Sequence, residues 1–264
     1  MRSKRMTVAD LRAVKGQRVL SMLYVETLEE AAAASAAGVD VLSIIAPIWT
    51  PEMREAAGDC FVQVGLLYGE LVTADDYLRA GFAAQKVGGD AYYCAGSLSI
   101  IRKMTDEGLP VVGHAGLIPS RATWTGGFKA VGKTHDSAVQ LWRDLQALEA
   151  AGAVAVELEV VPATLGAELS RRTGLVTFGM GAGSGTDAQY LFAEDVLGCT
   201  RGHRPRHAKT YRNFRAEYDR LQAERIAAFR EFVADVQSGN YPAPQHDVPM
   251  DPETLEAVLA TIGA

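Results

Sequence analysis

Two glutamates and one histidine stand where apolar runs of the sequence give way to loops. His114 lies in Val-Val-Gly-His-Ala-Gly-Leu, and Glu157 and Glu159 lie two residues apart in Val-Glu-Leu-Glu-Val-Val-Pro. Side chains two residues apart in a strand point the same way, so we expect both carboxylates on one face. A carboxylate in a mostly apolar setting has a raised pKa, which suits a general base or acid. A structural glutamate held by an arginine or by backbone donors is the alternative, and the spacing alone leaves both open.

Two glycine-rich stretches can approach a ligand closely. Gly179–Gly185 follows an apolar run. The backbone N–H groups of such a loop can hold a carboxylate or a phosphate, with Gly181 and Gly183 as candidate substrate-binding positions. Gly126–Lys129 is glycine-rich and basic, so it is a candidate lid that carries Lys129. Many glycine-rich turns are only tight turns, so neither stretch identifies a ligand by itself.

Isolated polar residues supply further candidates. Tyr92, Tyr93 and Ser97 lie in or just after the apolar run Ala91–Ala95 and are candidates to hydrogen-bond a substrate oxyanion in place of a metal ion. Cys94 alternates with Tyr93, so we expect it to face the helices as a core thiol rather than to act as a nucleophile. His203 and His207 lie in a basic segment that either binds an anionic substrate tail or is a solvated or interface loop.

Short β-rich runs alternate with helical patterns along most of the chain. The strand candidates are Arg18–Tyr24, Val39–Ala46, Cys60–Leu67, Ala91–Ala95, Pro110–Leu117, Ala153–Glu159, Val176–Ala182 and a weaker run, Ala188–Val196. Most are continuous apolar runs, which is typical of parallel strands covered by helices. Eight such strands predict a closed (β/α)8 TIM barrel, whose catalytic groups lie at the carboxyl ends of the strands. An open doubly wound sheet is the alternative, although no GxGxxG follows the first strand.

Helix signals separate these strands. Thr73 and Thr134 precede amphipathic stretches and are predicted N-caps, and Gly152 ends the second stretch. Pro162 suits the first turn of a helix that ends at Gly174.

The sequence after the barrel predicts two more helices. A long one covers about Tyr211–Val236 with an apolar stripe, and a shorter amphipathic one starts at Asp251. We expect residues 1–210 to form the barrel, and residues 211–264 to belong to the same domain and pack on it or on a neighbouring subunit. The stripe exceeds what one barrel surface needs, so it predicts a homo-oligomer.

The overall composition excludes several classes of partner. The chain has 264 residues, a formal net charge of -6 and a pI of about 5.4, so it lacks the basic field that nucleic acid or an anionic membrane requires. Its three cysteines are isolated and odd in number, which argues against a disulfide framework. Neither a signal peptide nor a membrane-spanning stretch is apparent. The sequence therefore predicts a cytoplasmic protein with a small-molecule substrate.

Several of these motifs, in order, resemble the ketopantoate hydroxymethyltransferase family. They are Gly113–Pro119, Gly126–Lys133, Leu158–Pro162, Gly179–Gly183 with Asp187 and Gln189, and Gly202–Lys209. The resemblance is strong from Pro110 to about Pro242 and faint before it. It implies an oligomeric barrel of the phosphoenolpyruvate mutase superfamily.

The resemblance also implies a reaction. A base removes a proton beside the keto group of a 2-oxo acid, and the enolate attacks a methylene group from methylenetetrahydrofolate. Mg²⁺ chelated by the oxo acid stabilises the enolate. In this sequence Glu159 matches the family's base and His114 its substrate-contacting histidine, and the substrate is a small carboxylate.

The first half of the chain departs from the family pattern at the metal site. Ala46, Gly65 and Ala95 stand where the resemblance implies the metal-linked acids, and Tyr93 stands in place of a lysine. A hard divalent cation needs oxygen ligands, so we expect no Mg²⁺ site of the ordinary kind.

Three functional hypotheses follow. The first is a divergent enzyme that forms or breaks a carbon–carbon bond on a small 2-oxo acid or related carboxylate, through a base-generated enolate and without the usual Mg²⁺. The second is the family's ordinary transfer to 3-methyl-2-oxobutanoate in pantothenate biosynthesis. The third is a catalytically silent paralogue that acts as a binding or assembly partner.

Overall fold

Eight parallel strands form a closed barrel in the computed structural model, which describes residues 5–263. The strands are β1 Leu20–Tyr24, β2 Val41–Ile45, β3 Phe61–Gly65, β4 Ala91–Tyr93, β5 Val111–Gly116, β6 Ala155–Glu159, β7 Val176–Met180 and β8 Ala188–Phe192. Each strand pairs with the next along the chain, and β8 pairs with β1. All eight predicted strands are confirmed, and the open doubly wound alternative is wrong.

Helices connect the strands and cover the outside of the barrel. They are α1 Val8–Ala13, α2 Leu28–Ala37, α3 Pro51–Ala56, α4 Ala74–Val87, α5 Leu98–Asp106, α6 Ala122–Thr125, α7 His135–Ala150, α8 Ala163–Arg172 and α9 Ala193–Leu197. The predicted caps Thr73 and Thr134 are confirmed, because each hydroxyl accepts a hydrogen bond from the first turn of its helix. Pro162 is the N-cap of α8 rather than a residue of its first turn.

The apolar side chains form two layers of core. One lies between the strands and the surrounding helices. The other fills the barrel at its amino-terminal end, where α1 packs Leu11 against residues such as Met22 and Phe61. Toward the carboxyl ends of the strands the interior becomes polar, and Gln63, His114 and Glu157 are buried there. The barrel is thus closed below and carries its polar groups near the upper opening, which we call the mouth.

Strand pairing brings the candidate acid–base groups together. In the register of β5 against β6, His114 is opposite Glu157 and Gly116 is opposite Glu159. Because side chains alternate along each strand, His114 and both glutamates point into the barrel. The prediction that the two glutamates share a face is confirmed by this register.

The chain divides into two compact units, Met1–Arg212 and Asn213–Ala264. The second contains α10 Phe214–Ser238, which begins three residues later than predicted and ends before Gly239, and α11 Pro252–Ile262. The apolar stripe of α10 is exposed. Its burial against the barrel or a neighbouring subunit stays a prediction.

Across residues 5–263, every helix is too short or too polar to cross a lipid bilayer.

Candidate active site

The mouth contains a cavity of about 290 Å³ at the carboxyl ends of the strands. It is lined by Tyr24, Ser43, Ile45, Gly65, Tyr68, Tyr93, Ala95, His114, Pro119, Ser120, Glu157, Glu159, Met180, Tyr190 and Phe192. Catalytic groups of TIM barrels lie at this end. The location of His114, Glu157 and Glu159 in this cavity is therefore the one expected of reactive side chains.

His114 is the centre of the hydrogen-bond network in the mouth. Its Nε2 lies 2.8 Å from the carbonyl oxygen of Leu117, and since a carbonyl only accepts, Nε2 carries a hydrogen. The same nitrogen is 3.3 Å from Glu159 Oε2. On the other side, Nδ1 is 2.7 Å from the hydroxyl of Tyr93. The imidazole is thus fixed in orientation between a backbone carbonyl and two polar side chains.

The charge of His114 determines what Tyr93 can do. Burial lowers the pKa of His114, but the hydrogen bond to Glu159 and the charges of both glutamates outweigh it, so the pKa is raised. When Nδ1 is protonated it donates to the Tyr93 oxygen, which leaves the Tyr93 hydroxyl hydrogen free for a ligand in the mouth. Burial keeps that hydroxyl protonated, because it raises the pKa of Tyr93 well above its usual value.

Glu157 lies deeper than Glu159 and is buried. Its Oε1 accepts a hydrogen bond of 2.6 Å from the side-chain amide of Gln63, and the same amide donates to Ser43 at 3.2 Å. Its Oε2 is 3.7 Å from His114 Nδ1, too far for a hydrogen bond. Burial raises the pKa of Glu157 to about 7, against the opposing effects of His114 and of the Gln63 hydrogen bond.

Glu159 ends β6 immediately before a strained backbone turn. Val160 has a φ of 48°, which is unusual for a β-branched residue. Its N–H donates to Met180 at 2.8 Å and its carbonyl accepts from Val131 at 3.1 Å. The Glu159 carbonyl accepts from Leu117 at 2.9 Å. Strained residues of this kind persist where surrounding contacts over-determine them, so the position of Glu159 is tightly specified.

A second, larger cavity of about 540 Å³ adjoins the mouth. It is lined by Leu117, Pro119, Phe128, Glu159, Val160, Met180, Gly181, Leu191, Phe192, Asp195, His203, Pro205, Arg206 and His207. Glu159 lines both cavities, as do Pro119, Met180 and Phe192. Burial lowers the pKa of His207, so this imidazole favours its neutral form. The side chain of Glu159 therefore lies where two ligands in adjacent cavities would meet.

The other predicted substrate-binding residues lie at varied distances from the mouth. Gly181 lines the larger cavity, and a side chain there would approach His207 to 2.8 Å. Gly183 packs against Ala163 at the start of α8, which gives it a structural reason to be glycine. Ser97 caps α5 and its hydroxyl is bonded to Ser99, outside the mouth lining. Lys129 is exposed in the loop after α6. Their roles in substrate binding stay predictions.

Three polar residues in or beside the mouth were missed by the sequence reasoning. Ser43 and Gln63 lie inside the apolar runs of β2 and β3, and a polar residue within such a run was the available signal. Arg121 follows β5 and lines a cavity that adjoins the mouth. It donates to the carbonyl of Ala95 at 2.6 Å, and its guanidinium lies 5.7 Å from the ring centroid of Tyr68, which lines the mouth. The contacts among these residues form only when the barrel closes, and no local stretch of sequence specifies that closure.

The strand ends of the mouth do not fit a hard divalent cation. Ala46 follows β2, Gly65 ends β3 and Ala95 follows β4, and none of these side chains offers an oxygen ligand. Both carboxylates of the mouth, Glu157 and Glu159, are directed toward His114. Among residues 5–263 no group of three or more histidine, cysteine or acidic side chains is arranged to hold a metal ion.

Comparison with known proteins identifies relatives along most of the chain. A family model described as ketopantoate hydroxymethyltransferase matches residues 71–244. A 3-methyl-2-oxobutanoate hydroxymethyltransferase from Thermus thermophilus is 34% identical over 266 residues, covering 92% of this chain and 99% of the relative. Another, from Cenarchaeum symbiosum, is 35% identical over 179 residues, covering 67% of this chain and 66% of the relative.

Solved structures of low identity share the fold. A phosphonopyruvate hydrolase complex with oxalate and Mg²⁺ has a TM-score of 0.51 at 12% identity and covers 97% of this chain and 99% of its own. A UMP synthase from Leishmania donovani has a TM-score of 0.51 at 13% identity, covering 71% and 51%. At such identities the likeness shows the barrel fold alone.

Proposed function

We propose that this chain, which belongs to the ketopantoate hydroxymethyltransferase family, generates an enolate from a small 2-oxo acid or related carboxylate with Glu159 as the base. The enolate then forms a carbon–carbon bond with a second reactant, or the reverse reaction breaks that bond. The single observation that carries the proposal is that Glu159 lines both the mouth and the larger cavity.

Proton transfer requires a carboxylate near the reacting carbon and donors near the keto oxygen. With the oxo acid in the mouth, Glu159 takes the proton from the carbon beside the keto group. The C–H electron pair forms a carbon–carbon double bond, and the π pair of the keto group moves to its oxygen. His114 is bonded to Glu159 and to Tyr93, so it orients the base and the hydroxyl donor together. A positioned base of this kind contributes roughly 10²- to 10⁴-fold to the rate.

Arg121 is the cation that we propose for the substrate carboxylate. Its guanidinium lies over Tyr68, which lines the mouth, and Arg121 itself lines an adjoining cavity that shares Ala95 and His114 with the mouth. Its charge lowers the pKa of Tyr93 against the larger effect of burial. Arginine is suited to bind a carboxylate through two parallel N–H donors. A 2-oxo acid in the mouth would then have its carboxylate bound by Arg121 beside Tyr68 and its keto group directed into the barrel.

The larger cavity is proposed to hold the second reactant. Its volume is in the range of small-molecule sites, and it combines apolar walls, including Phe128 and Phe192, with the basic side chains of His203 and Arg206. These features fit methylenetetrahydrofolate, the cofactor implied by the family, with the basic residues on its anionic tail. When bound, that cofactor supplies a one-carbon group.

A second candidate function is hydroxymethyl transfer to 3-methyl-2-oxobutanoate. The observation that favours it is the 34% identity to the Thermus thermophilus enzyme along almost the whole of both chains. The strand-end residues Ala46, Gly65 and Ala95 weigh against the Mg²⁺-dependent form of that reaction.

The test of the proposal is exchange of a substrate proton with solvent. The protein would be incubated in D₂O with pyruvate, 2-oxobutanoate or 3-methyl-2-oxobutanoate, and the signal of the C3 protons followed by ¹H NMR. We expect enzyme-dependent loss of that signal for at least one oxo acid, at the same rate with a metal chelator as with added Mg²⁺. Lack of exchange with all three would contradict the proposal.

The same samples separate the two candidates. With methylenetetrahydrofolate added, the second candidate predicts that 3-methyl-2-oxobutanoate is hydroxymethylated only when Mg²⁺ is present, whereas the first predicts that any product forms equally with the chelator. Exchange that requires Mg²⁺ and is abolished by the chelator would contradict the metal-independent form of the proposal.

A further inference from the structure

The environment of Glu157 is unusual for a carboxylate inside a protein. The side chain is buried and lines the inner part of the mouth. Its one hydrogen bond within the described chain, of 2.6 Å, comes from the neutral amide of Gln63. A buried carboxylate without a cation bonded to it is costly, and such a group usually takes up a proton instead.

The groups that face Glu157 come from several strands. They are Ser43 from β2, Gln63 from β3, Tyr93 from β4, His114 from β5, Glu159 from β6 and Tyr190 from β8. Of these, only His114 can be a cation, and it already has hydrogen-bond partners at both ring nitrogens. Glu159 adds a negative charge nearby, which favours a proton on Glu157. Phe178, opposite Glu157 in β7, is apolar.

The two oxygens of Glu157 differ in what they contact. Oε1 accepts the Gln63 hydrogen bond, as the carbonyl oxygen of a neutral carboxyl group does. Oε2 has His114 Nδ1 as its polar neighbour at 3.7 Å and makes no hydrogen bond to it. A hydrogen on Oε2 is therefore free to be donated to a ligand in the mouth.

We propose that Glu157 is a second catalytic residue, a neutral carboxyl group that donates a hydrogen bond from Oε2 to the developing enolate oxygen beside the Tyr93 hydroxyl. This assignment rests on the proposed function and deepens it. The pair of donors supplies the stabilisation of the oxyanion that a divalent cation would otherwise give. Preorganised donors of this kind are effective because they lie in a site that excludes water.

The proton balance of the step is simple. The C–H bond beside the keto group breaks, and the proton goes to the Glu159 carboxylate. The electron pair forms the carbon–carbon double bond of the enolate, and the keto oxygen gains the negative charge. Glu157 and Tyr93 keep their protons and share them with that oxygen through hydrogen bonds. The two glutamates on one strand thus have opposite tasks: Glu159 accepts a proton and Glu157 donates a hydrogen bond.

A titration tests the protonation of Glu157 without any substrate. Protein labelled with ¹³C at glutamate carboxyl groups would be followed by NMR between pH 4 and 9. We expect one carboxyl resonance to titrate about two to three pH units above the other glutamates, and to be missing in Glu157→Gln. If the Glu157 resonance titrates with the exposed glutamates, the inference is wrong.

Two variants test the donated hydrogen bond in the D₂O exchange assay. Glu157→Gln keeps a neutral donor at all pH values, and Glu157→Met has similar size but no donor. We expect the wild-type rate to fall as pH rises through about 7, because the donor is lost on ionisation. Glu157→Gln should keep within about tenfold of the wild-type rate at pH 6 and lose this alkaline decline, whereas Glu157→Met should lose about 10²- to 10³-fold.

The outcomes separate this inference from the proposed function. Wild-type exchange together with a normal rate in Glu157→Met would overturn the role of Glu157 and leave Glu159 as the base. An alkaline decline that persists unchanged in Glu157→Gln would overturn it too. Lack of exchange in the wild-type protein would contradict both, and the ¹³C titration then still reports whether Glu157 is neutral.

Discussion

At the residue scale, Glu157 and Glu159 illustrate how two identical side chains on one strand acquire different properties. Both point into the barrel, but Glu157 is buried beside a neutral amide, whereas Glu159 borders two cavities and is bonded to His114. The difference comes from depth along the strand, since two residues span about 6.6 Å. At the depth of Glu157, burial raises the pKa of the carboxyl group and favours its protonated form.

The raised pKa of Glu157 makes stability depend on pH. Below the pKa of an unfolded glutamate, about 4.3, both states are protonated. Between that value and about 7, the folded state keeps the proton that the unfolded state has lost, so stability falls by up to about 1.4 kcal/mol per pH unit. Glu157→Gln lacks this loss. We expect its melting temperature relative to wild type to increase from pH 5 to pH 8, by calorimetry, and a constant difference would argue against a neutral Glu157.

The hydroxyl of Tyr93 provides a second prediction at this scale. Tyr93→Phe removes the partner of His114 Nδ1 and a proposed donor to the substrate, so the exchange rate should fall about 10²-fold. Tyr92→Phe is the matched control, because the Tyr92 hydroxyl is bonded to Gly89 rather than to any residue of the mouth. That variant should lose at most about 1 kcal/mol of stability and exchange normally. Equal rates for both variants would exclude Tyr93 from the chemistry.

Sequence reasoning located part of this site for physical reasons. His114 and the two glutamates could be predicted because they interrupt apolar runs near strand ends, where a barrel places reactive groups. The contact between Gln63 and Glu157 could not be predicted from the sequence, because these residues are 94 positions apart. Their contact depends on the closure and stagger of the barrel, which involve all eight strands together.

At the element scale, the strands were predicted well because their apolar runs are continuous. The residues at which the strands end were predicted less accurately. The run Val39–Ala46 was predicted as a strand, but β2 stops at Ile45 and a short 3₁₀ turn begins at Ala46. Pro47 in that turn explains the difference, since it lacks an N–H for the sheet and fixes its own φ. Such ends matter here because the site residues lie on them.

The contact between β5 and β6 gives a prediction about Glu159. Gly116 has a φ of 89°, and a side chain there would overlap the carbonyl oxygen of Glu159. Gly116→Ala should therefore displace Glu159, lower the exchange rate and destabilise the fold by several kcal/mol, from the left-handed backbone and the overlap together.

Gly108 offers the control for that substitution. Its φ of 83° is similar, but a side chain there would meet nothing within 4 Å. Gly108→Ala should cost about 1–2 kcal/mol by thermal unfolding and leave exchange unchanged. If the two variants lose similar stability and activity, the close packing of Gly116 against Glu159 does not explain the effect of Gly116→Ala.

At the scale of the whole molecule, the exposed stripe of α10 leads to a prediction of assembly. Phe229, Phe232, Val233 and Val236 follow helical spacing, and Phe229 is 69% exposed. Patches of this kind commonly mark subunit contacts, so we predict a stable homo-oligomer that uses this helix. Sedimentation at micromolar concentration should show it, and a double change of Phe229→Ser and Phe232→Ser should shift the protein toward monomer, whereas Glu231→Ser should not. A monomeric wild-type protein would contradict the prediction.

The two ends of the barrel differ in which side chains they bury. The inside of the barrel at its amino-terminal end is filled with apolar side chains, and the buried Asp40 and Asp187 at that end are paired with Arg18 and Lys15. The carboxyl end holds polar groups that are costly to bury. Ser43, Gln63, Tyr93, His114 and Glu157 satisfy one another there, although Gln63 Oε1 remains without a hydrogen-bond partner among the described residues. Such an arrangement is expected of a site built for reaction rather than for stability.

The base assigned to Glu159 is tested most directly by hydrogen–deuterium exchange of the oxo acid in Glu159→Gln. The swap keeps size and hydrogen bonding but removes the carboxylate that takes the proton, and a circular dichroism spectrum can verify the fold. We predict a 10²- to 10⁴-fold loss of exchange, with Glu26→Gln, an exposed carboxylate outside the lining of both cavities, at the wild-type rate. Near-normal exchange in Glu159→Gln would contradict the account, and inactivity of Glu157→Gln in that case would assign the base to Glu157.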